Sequence, residues 1–147
     1  MRSHELWRWA AVDLAHAIRN REVSSREAVE STLARVAAVN PGINAIVDPM
    51  ADEALVAATR ADAAVKNGER LGPLHGVPVT VKINVDFAER PTTNGVAAFK
   101  DNIAKEDSPP VRNWRKAGAV FIGRTNVPAF SARYFTDNAL HGRTLNL

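Results

Sequence analysis

Leu71-Gly-Pro-Leu-His-Gly-Val-Pro-Val-Thr-Val-Lys-Ile-Asn84 reads as a turn that runs directly into a strand. Gly72-Pro73 and Gly76 supply the turn residues, and the alternation that follows has the period of two that a strand requires. Val77, Val79 and Val81 share one face, Thr80 and Lys82 the other. The rigid turn before the strand and Asn84 after it fix where Lys82 points. On pattern alone, a lysine at a strand end is a solvated charge.

Working outward toward the N-terminus, three helices precede this strand. Ala11, Leu14, Ala15 and Ile18 form an apolar stripe that predicts a helix from Leu6 to Asn20. Ser24 with Glu27 has the spacing of a capping box. It opens a second helix with Val29, Leu33 and Val36 on its inner face, which Asn40-Pro41-Gly42 is expected to stop. Ile43 to Asp48 predicts a short strand ended by Pro49. From Met50 to Lys66 an Ala-rich helix presents Ala54, Ala57, Ala58, Ala61 and Val65, and Asn67-Gly68 closes it.

Toward the C-terminus, Ser108-Pro109-Pro110 is expected to cap a helix that ends at Gly118, with prolines where the first turn tolerates them. Ala119 to Ile122 predicts a short buried strand and Asn126 to Tyr134 a short helix. The tail from Thr136 is expected to be loop, turning at Gly142. Helices alternating with short apolar strands predict an α/β fold on a mixed or parallel sheet, with no internal repeat and no domain boundary.

Composition limits the function classes. The chain has 147 residues, a net charge of +3 and no cysteine. Disulfides and thiolate metal sites are therefore excluded, and the charges are interspersed rather than gathered into a stripe that would track nucleic acid. Charges interrupt the first ten residues, so no signal peptide is read there. No run reaches the roughly 20 apolar residues of a membrane span. These features predict a soluble, cytoplasmic protein. Asp101, Glu106 and Asp107 lack a His partner or ligand spacing, and His4, His16, His75 and His141 are scattered, so no metal site is expected.

Six stretches, in order, resemble the amidase signature family. Gly72-Pro-Leu-His-Gly-Val-Pro-Val-Thr-Val-Lys82 is similar to the sequence around its catalytic lysine, and Pro91-Thr-Thr-Asn-Gly95 to its P-T-T-x-G loop. Ala117-Gly-Ala-Val-Phe-Ile-Gly-Arg-Thr-Asn126 resembles A-G-A-x-x-x-G-K-T-N, and Thr136 to Asn146 resembles T-x-N-x-x-x-G-x-T-x-N. Val23-Ser-Ser-Arg-Glu27 and Asn40-Pro-Gly-Ile-Asn-Ala45 match upstream stretches. One departure stands beside the lysine: Ile83 occupies a position where the family commonly has Asp, which is expected to loosen the orientation of Lys82.

The resemblance implies a Ser–cis-Ser–Lys relay that hydrolyses small carboxylic amides with water and without a cofactor. A lysine acting as base must be neutral, which implies burial among backbone and hydroxyl partners. Of that machinery only Lys82 maps onto this sequence. The Gly/Ser-rich signature carrying both serines is expected shortly after Asn146, and the sequence ends at Leu147. Residues 1–147 are accordingly expected to form a single partial amidase-like domain with an incomplete mixed sheet, inactive alone. Among Ser3, Ser24, Ser25, Ser31, Ser108 and Ser131, only Ser131 falls where it can approach Lys82, and no nucleophile elbow surrounds it. The alternative reading is a truncated, inactive scaffold. On that alternative, a sheet cut partway leaves strand edges and apolar surface exposed, which are expected to draw a second copy or a partner chain.

Overall fold

The computed structural model describes residues 5–146. Ser3 and His4, considered above, lie outside them. The described chain packs as two compact units interleaved in sequence. One holds the residues up to Ala37, Met50–Val79 and Asn113–Ile122; the other holds Ala38–Pro49, Thr80–Arg112 and the residues from Gly123 onward. The helices are α1 (Ala11–Arg19), α2 (Ser25–Ile43), α3 (Ala51–Lys66) and α4 (Pro109–Lys116), and the strands β1 (Ile46–Pro49), β2 (Pro78–Lys82), β3 (Val120–Thr125), β4 (Asp137–Asn138) and β5 (Gly142–Arg143). Three strands form a sheet in the order β1-β3-β2, and β4 pairs with β5. β1 runs antiparallel to β3, with Ile46 opposite Thr125 and Pro49 opposite Gly123. Val120 N–H at the start of β3 donates to the C=O of Val77 just before β2, and Ile83 N–H just after β2 donates to the C=O of Thr125 at the end of β3. Start pairs with start and end with end, which is parallel pairing, so the sheet is mixed as expected. Among the described residues no helix is long and apolar enough to cross a membrane.

In the first unit most of each predicted stripe is buried or half-buried, although Ala11, placed in the α1 stripe, is exposed. Leu14, Ala15 and Ile18 of α1 pack with Ala28, Val65 and Val77. Val29 of α2 meets Ala54 and Ala58 of α3 and Val120 and Ile122 of β3, with Leu33 and Val36 alongside. Small residues on α3 let its backbone come close to these neighbours. The Ser24–Glu27 capping box forms in both directions: Glu27 Oε2 accepts from Ser24 N–H at 2.7 Å, and Ser24 Oγ accepts from Glu27 N–H at 3.0 Å. The backbone N–H and then the hydroxyl of Ser24 hold the Glu27 carboxyl below its ordinary range. Beside it Ser25 is fully buried, its hydroxyl donating to Gly76 C=O at 2.7 Å while its N–H donates to Asp62 at 2.7 Å. Gly76 has φ +76°, and a Cβ there would sit 2.8 Å from the Ser25 Cβ, so the turn before β2 needs glycine.

Several boundaries depart from the sequence expectation. Leu6–Arg8 is a separate 3₁₀ turn, and the extended backbone of Trp9 and Ala10 divides it from α1. Pro41 does not stop α2, which carries it inside and runs to Ile43. The stop is conformational. Asn44 has φ +53°, and the Asn40 side chain accepts from the N–H groups of Ala45 and Ile46 at 2.9 and 2.8 Å, capping the exit. β1 is therefore shorter than predicted, and β3 is longer, running through Gly123, Arg124 and Thr125. Ser108 is not a side-chain cap. Its hydroxyl has no hydrogen-bond partner, and the two prolines that follow remove the nearest backbone donors. The helix expected over Asn126–Tyr134 is only a 3₁₀ turn at Ala129–Ser131, where Phe130 and Ser131 have φ +54° and +56°. The tail is a short hairpin rather than loop.

Ser25→Ala tests the tie between helix and turn. Leaving Gly76 C=O buried without its donor is expected to cost about 1–2 kcal/mol by denaturant unfolding. A change below a few tenths would show that the hydroxyl contributes nothing.

Candidate functional site

Lys82 is the last residue of β2, an edge strand of the sheet, and it is exposed. The buried surroundings implied by the resemblance are not found around it: among the described residues its ammonium has no hydrogen-bond or ion-pair partner. Edge position and strand end together leave it in solvent. The backbone beyond it is firmly held. Val85 N–H closes a turn onto Lys82 C=O at 3.1 Å, and Ile83 uses both of its backbone polar atoms. Its N–H donates to Thr125 C=O at 3.0 Å, and its C=O accepts from Arg124 Nη2 at 3.3 Å. The Ile83 side chain is 2% exposed. The residue that replaces the family's Asp thus anchors the exit of β2 through backbone and core packing.

Asn84, next along that turn, donates from Nδ2 to Ser131 Oγ at 3.0 Å. The structure therefore brings Ser131 to the turn that follows Lys82. Asn84 holds the hydroxyl, and no hydrogen bond joins it to Lys82 among the described residues. The hydroxyl is exposed and sits in no nest of N–H donors, so the pair lacks the geometry of a nucleophile and base.

A partly buried ion cluster, built on one wholly buried arginine, lies in the same unit. Arg124 of β3 is wholly buried. Its Nη1 meets Asp48 Oδ2 at 3.2 Å, while its Nη2 donates to the carbonyls of Ile83 and Pro91 at 3.3 and 2.9 Å. Asp48 also takes Arg90 Nη1 at 2.5 Å on its other oxygen. Burial pushes the Arg124 pKa down and Asp48 opposes it; the guanidinium stays charged because its own pKa is so high. Neither motif nor periodicity singled out this cluster, although a signal was present. One arginine stands inside the apolar run Val120-Phe-Ile-Gly-Arg-Thr125, and a charge in a buried strand needs a partner.

The two asparagines of the downstream motifs form a second network. Asn126 Oδ1 accepts from Asn138 Nδ2 at 2.8 Å, and Asn126 Nδ2 donates to Gly142 C=O and Thr144 Oγ1, both at 3.1 Å. Asn138 Oδ1 accepts from the N–H groups of Leu140 and His141 and so shapes the hairpin turn. Gly95, closing Pro91-Thr-Thr-Asn-Gly95, has φ +67°, and a Cβ there would meet Val127 O at 2.8 Å. The motif residues outside β2 therefore fix backbone. His75 likewise serves structure, with Nε2 on Ala61 C=O at 2.9 Å. No cluster of metal-ligating side chains occurs among the described residues.

The amidase family model matches residues 27–146. The chain is 56% identical over 141 residues to an indoleacetamide hydrolase of Bradyrhizobium diazoefficiens, covering 96% of this chain and 27% of that protein. It is 39% identical over 137 residues to an acylamidase of Rhodococcus erythropolis, covering 93% of this chain and 29% of that one. Among solved structures, a fatty acid amide hydrolase superposes with a TM-score of 0.93 at 28% identity, over 99% of this chain and 26% of its own. The chain thus spans little more than a quarter of the length of these relatives.

Asp48→Ala leaves Arg124 buried without its counter-charge and is expected to destabilise the chain by about 3 kcal/mol in chemical denaturation. Pairing it with Arg124→Met should recover much of that loss. A cost below about 1 kcal/mol, the range of exposed pairs, would contradict the cluster's burial.

Proposed function

The chain belongs to the amidase family, and from that premise we propose that it contributes the lysine-bearing part of a hydrolase acting on small carboxylic amides. Lys82 is the base of a relay whose two serines lie outside the six matched stretches, and residues 1–147 act as one partial amidase-like domain. The observation that carries this reading is the order of those stretches. They run through residues 23–146 with Lys82 at the end of β2, and the family match covers 27–146. Water accepts the acyl group and no cofactor takes part. The 56% identity to an indoleacetamide hydrolase supports indoleacetamide as the first substrate to test.

The solvent exposure of Lys82 bears directly on activity. A relay base works in a site closed to water, so on this reading the lysine needs a partner that covers it. Large apolar side chains stand exposed on the segment that follows β3: Phe130 at 63%, Tyr134 at 112% and Phe135 at 58%. They support a completing polypeptide or a second copy as partner. The absence of cysteine fits a cytoplasmic location.

Two measurements test the proposal. The 147-residue chain, mixed with a polypeptide supplying the remainder of the Bradyrhizobium relative, is expected to release ammonia from indoleacetamide. Lys82→Ala should lower that rate about a thousandfold, the scale of a lost general base. Activity of the chain alone that survives Lys82→Ala would overturn the assignment. Light scattering of the chain by itself is expected to report association, and a monodisperse monomer at moderate concentration would count against the partner.

A further inference from the structure

The chain contains two Asn-Gly pairs, Asn67-Gly68 and Asn94-Gly95. A glycine amide nitrogen, with no side chain to shield it, is free to attack the Cγ of a preceding asparagine. As dipeptides the two pairs are chemically equal. Their settings in the fold are not.

Asn67 caps the C-terminus of α3 and is exposed, as are Gly68, Glu69 and Arg70 after it. Its side chain makes one long contact, Nδ2 to Glu69 Oε1 at 3.4 Å, in solvent. Among the described residues its carbonyl accepts no hydrogen bond. Gly68 has φ +70° with open space where a Cβ would stand, and its N–H reaches Val65 C=O at 3.2 Å. Attack needs Asn67 to turn about ψ, from −5°, until the Gly68 nitrogen faces Cγ. At the helix end that rotation costs the Gly68 bond and its neighbour, Glu69 N–H to Ala64 C=O at 3.0 Å. Helix ends fray, so such an opening is cheap.

At the other pair Gly95 is buried with φ +67°, and a Cβ there would lie 2.8 Å from Val127 O and 3.3 Å from Ala129 N. The Asn94 carbonyl holds Phe130 N–H at 2.9 Å. The same rotation about ψ breaks that bond and displaces Gly95 from packed backbone. Attack at Asn94 therefore waits for a larger opening.

We propose that Asn67 is a site of spontaneous deamidation in the folded protein, while packing protects Asn94. The Gly68 nitrogen gives its proton to solvent base and bonds to Asn67 Cγ. The Cγ–Nδ2 bond breaks, ammonia leaves, and a succinimide ring closes. Water then opens the ring, at Cγ to give aspartate or at the Asn67 backbone carbonyl to give isoaspartate. The net change is one water taken up and one ammonia released, with no redox step. Either product sets a carboxylate at the negative end of the α3 dipole. Isoaspartate also adds a carbon to the main chain inside the turn that Gly68 closes, which loosens the end of α3. Its exposed carboxylate is the chemical group that an isoaspartyl carboxyl methyltransferase takes as substrate.

The test incubates the 147-residue chain at mildly alkaline pH, native and in denaturant, and follows the exchange of NH for O at both asparagines by peptide mass mapping. In the native chain Asn67 is expected to convert at least about tenfold faster than Asn94, because an exposed helix end opens more often than packed backbone. In denaturant the two should convert at similar rates. Asn67→Gln, an exposed change that removes the five-membered ring closure, should abolish the acidic form that isoelectric focusing detects in the aged native chain. It should also abolish methyl transfer to that chain by an isoaspartyl methyltransferase. Equal native rates at the two sites, a faster Asn94, or an Asn67 that stays intact while the unfolded chain converts would each overturn the proposal.

Discussion

One buried guanidinium holds the second unit together. Arg124 reaches Asp48 of β1, the carbonyl of Ile83 just past β2, and the carbonyl of Pro91 at the start of the Pro91–Gly95 loop. A single planar group thereby ties both ends of the segment from Ile83 to Pro91, which has little regular structure of its own. Removing such a charge from water costs several kcal/mol, and Asp48 with two carbonyls offsets that only because the geometry satisfies most of the fork. A lysine in its place would bring one point charge and could not span three acceptors in one plane.

The consequence reaches Lys82. The residue after it is fixed at N–H by Thr125 and at C=O by Arg124, so the backbone that presents the lysine is rigid although its side chain lies in solvent. Asn84 then fastens the 3₁₀ turn at Ala129–Ser131 to the same exit. Two left-handed residues, Phe130 and Ser131, give that turn its shape. Their strain is tolerated because Phe130 N–H is anchored on Asn94 C=O at 2.9 Å and the Phe130 ring packs edge-on against Phe99 at 5.8 Å. The pattern is of a scaffold that orders its backbone around one projecting amine.

Much of this fold is legible in the sequence. Helical stripes such as Leu14-Ala15-Ile18 and Ala54-Ala58-Ala61 report burial directly, because periodicity and packing are the same physical fact. The Ser24–Glu27 box is readable because both partners lie within one turn. What stays hidden depends on contacts between residues far apart in sequence. The true end of α2 rests on left-handed Asn44 and on Asn40, whose side chain caps the chain beyond Pro41. The hairpin of the tail rests on Asn138 and Asn126, twelve residues apart. The helix expected after Asn126 does not form because Phe130 and Ser131 take positive φ, which leaves no trace in residue type. Family resemblance singles out Lys82 as the candidate base, whereas strand pattern alone reads it as a solvated charge, and the structure leaves it exposed. The Arg124–Asp48 pair spans 76 residues, and only the oddity of an arginine in an apolar strand pointed toward it.

On the proposed function, Lys82 is an active-site amine, rigidly presented and awaiting cover. Amine-selective acylation followed by mass spectrometry measures that cover residue by residue. In the 147-residue chain alone Lys82 is predicted to label as fast as exposed Lys66 or Lys116. With a polypeptide supplying the rest of the amidase fold, it alone among the three should become protected. Unchanged labelling of Lys82 in an assembly that hydrolyses amides would contradict its role as the base.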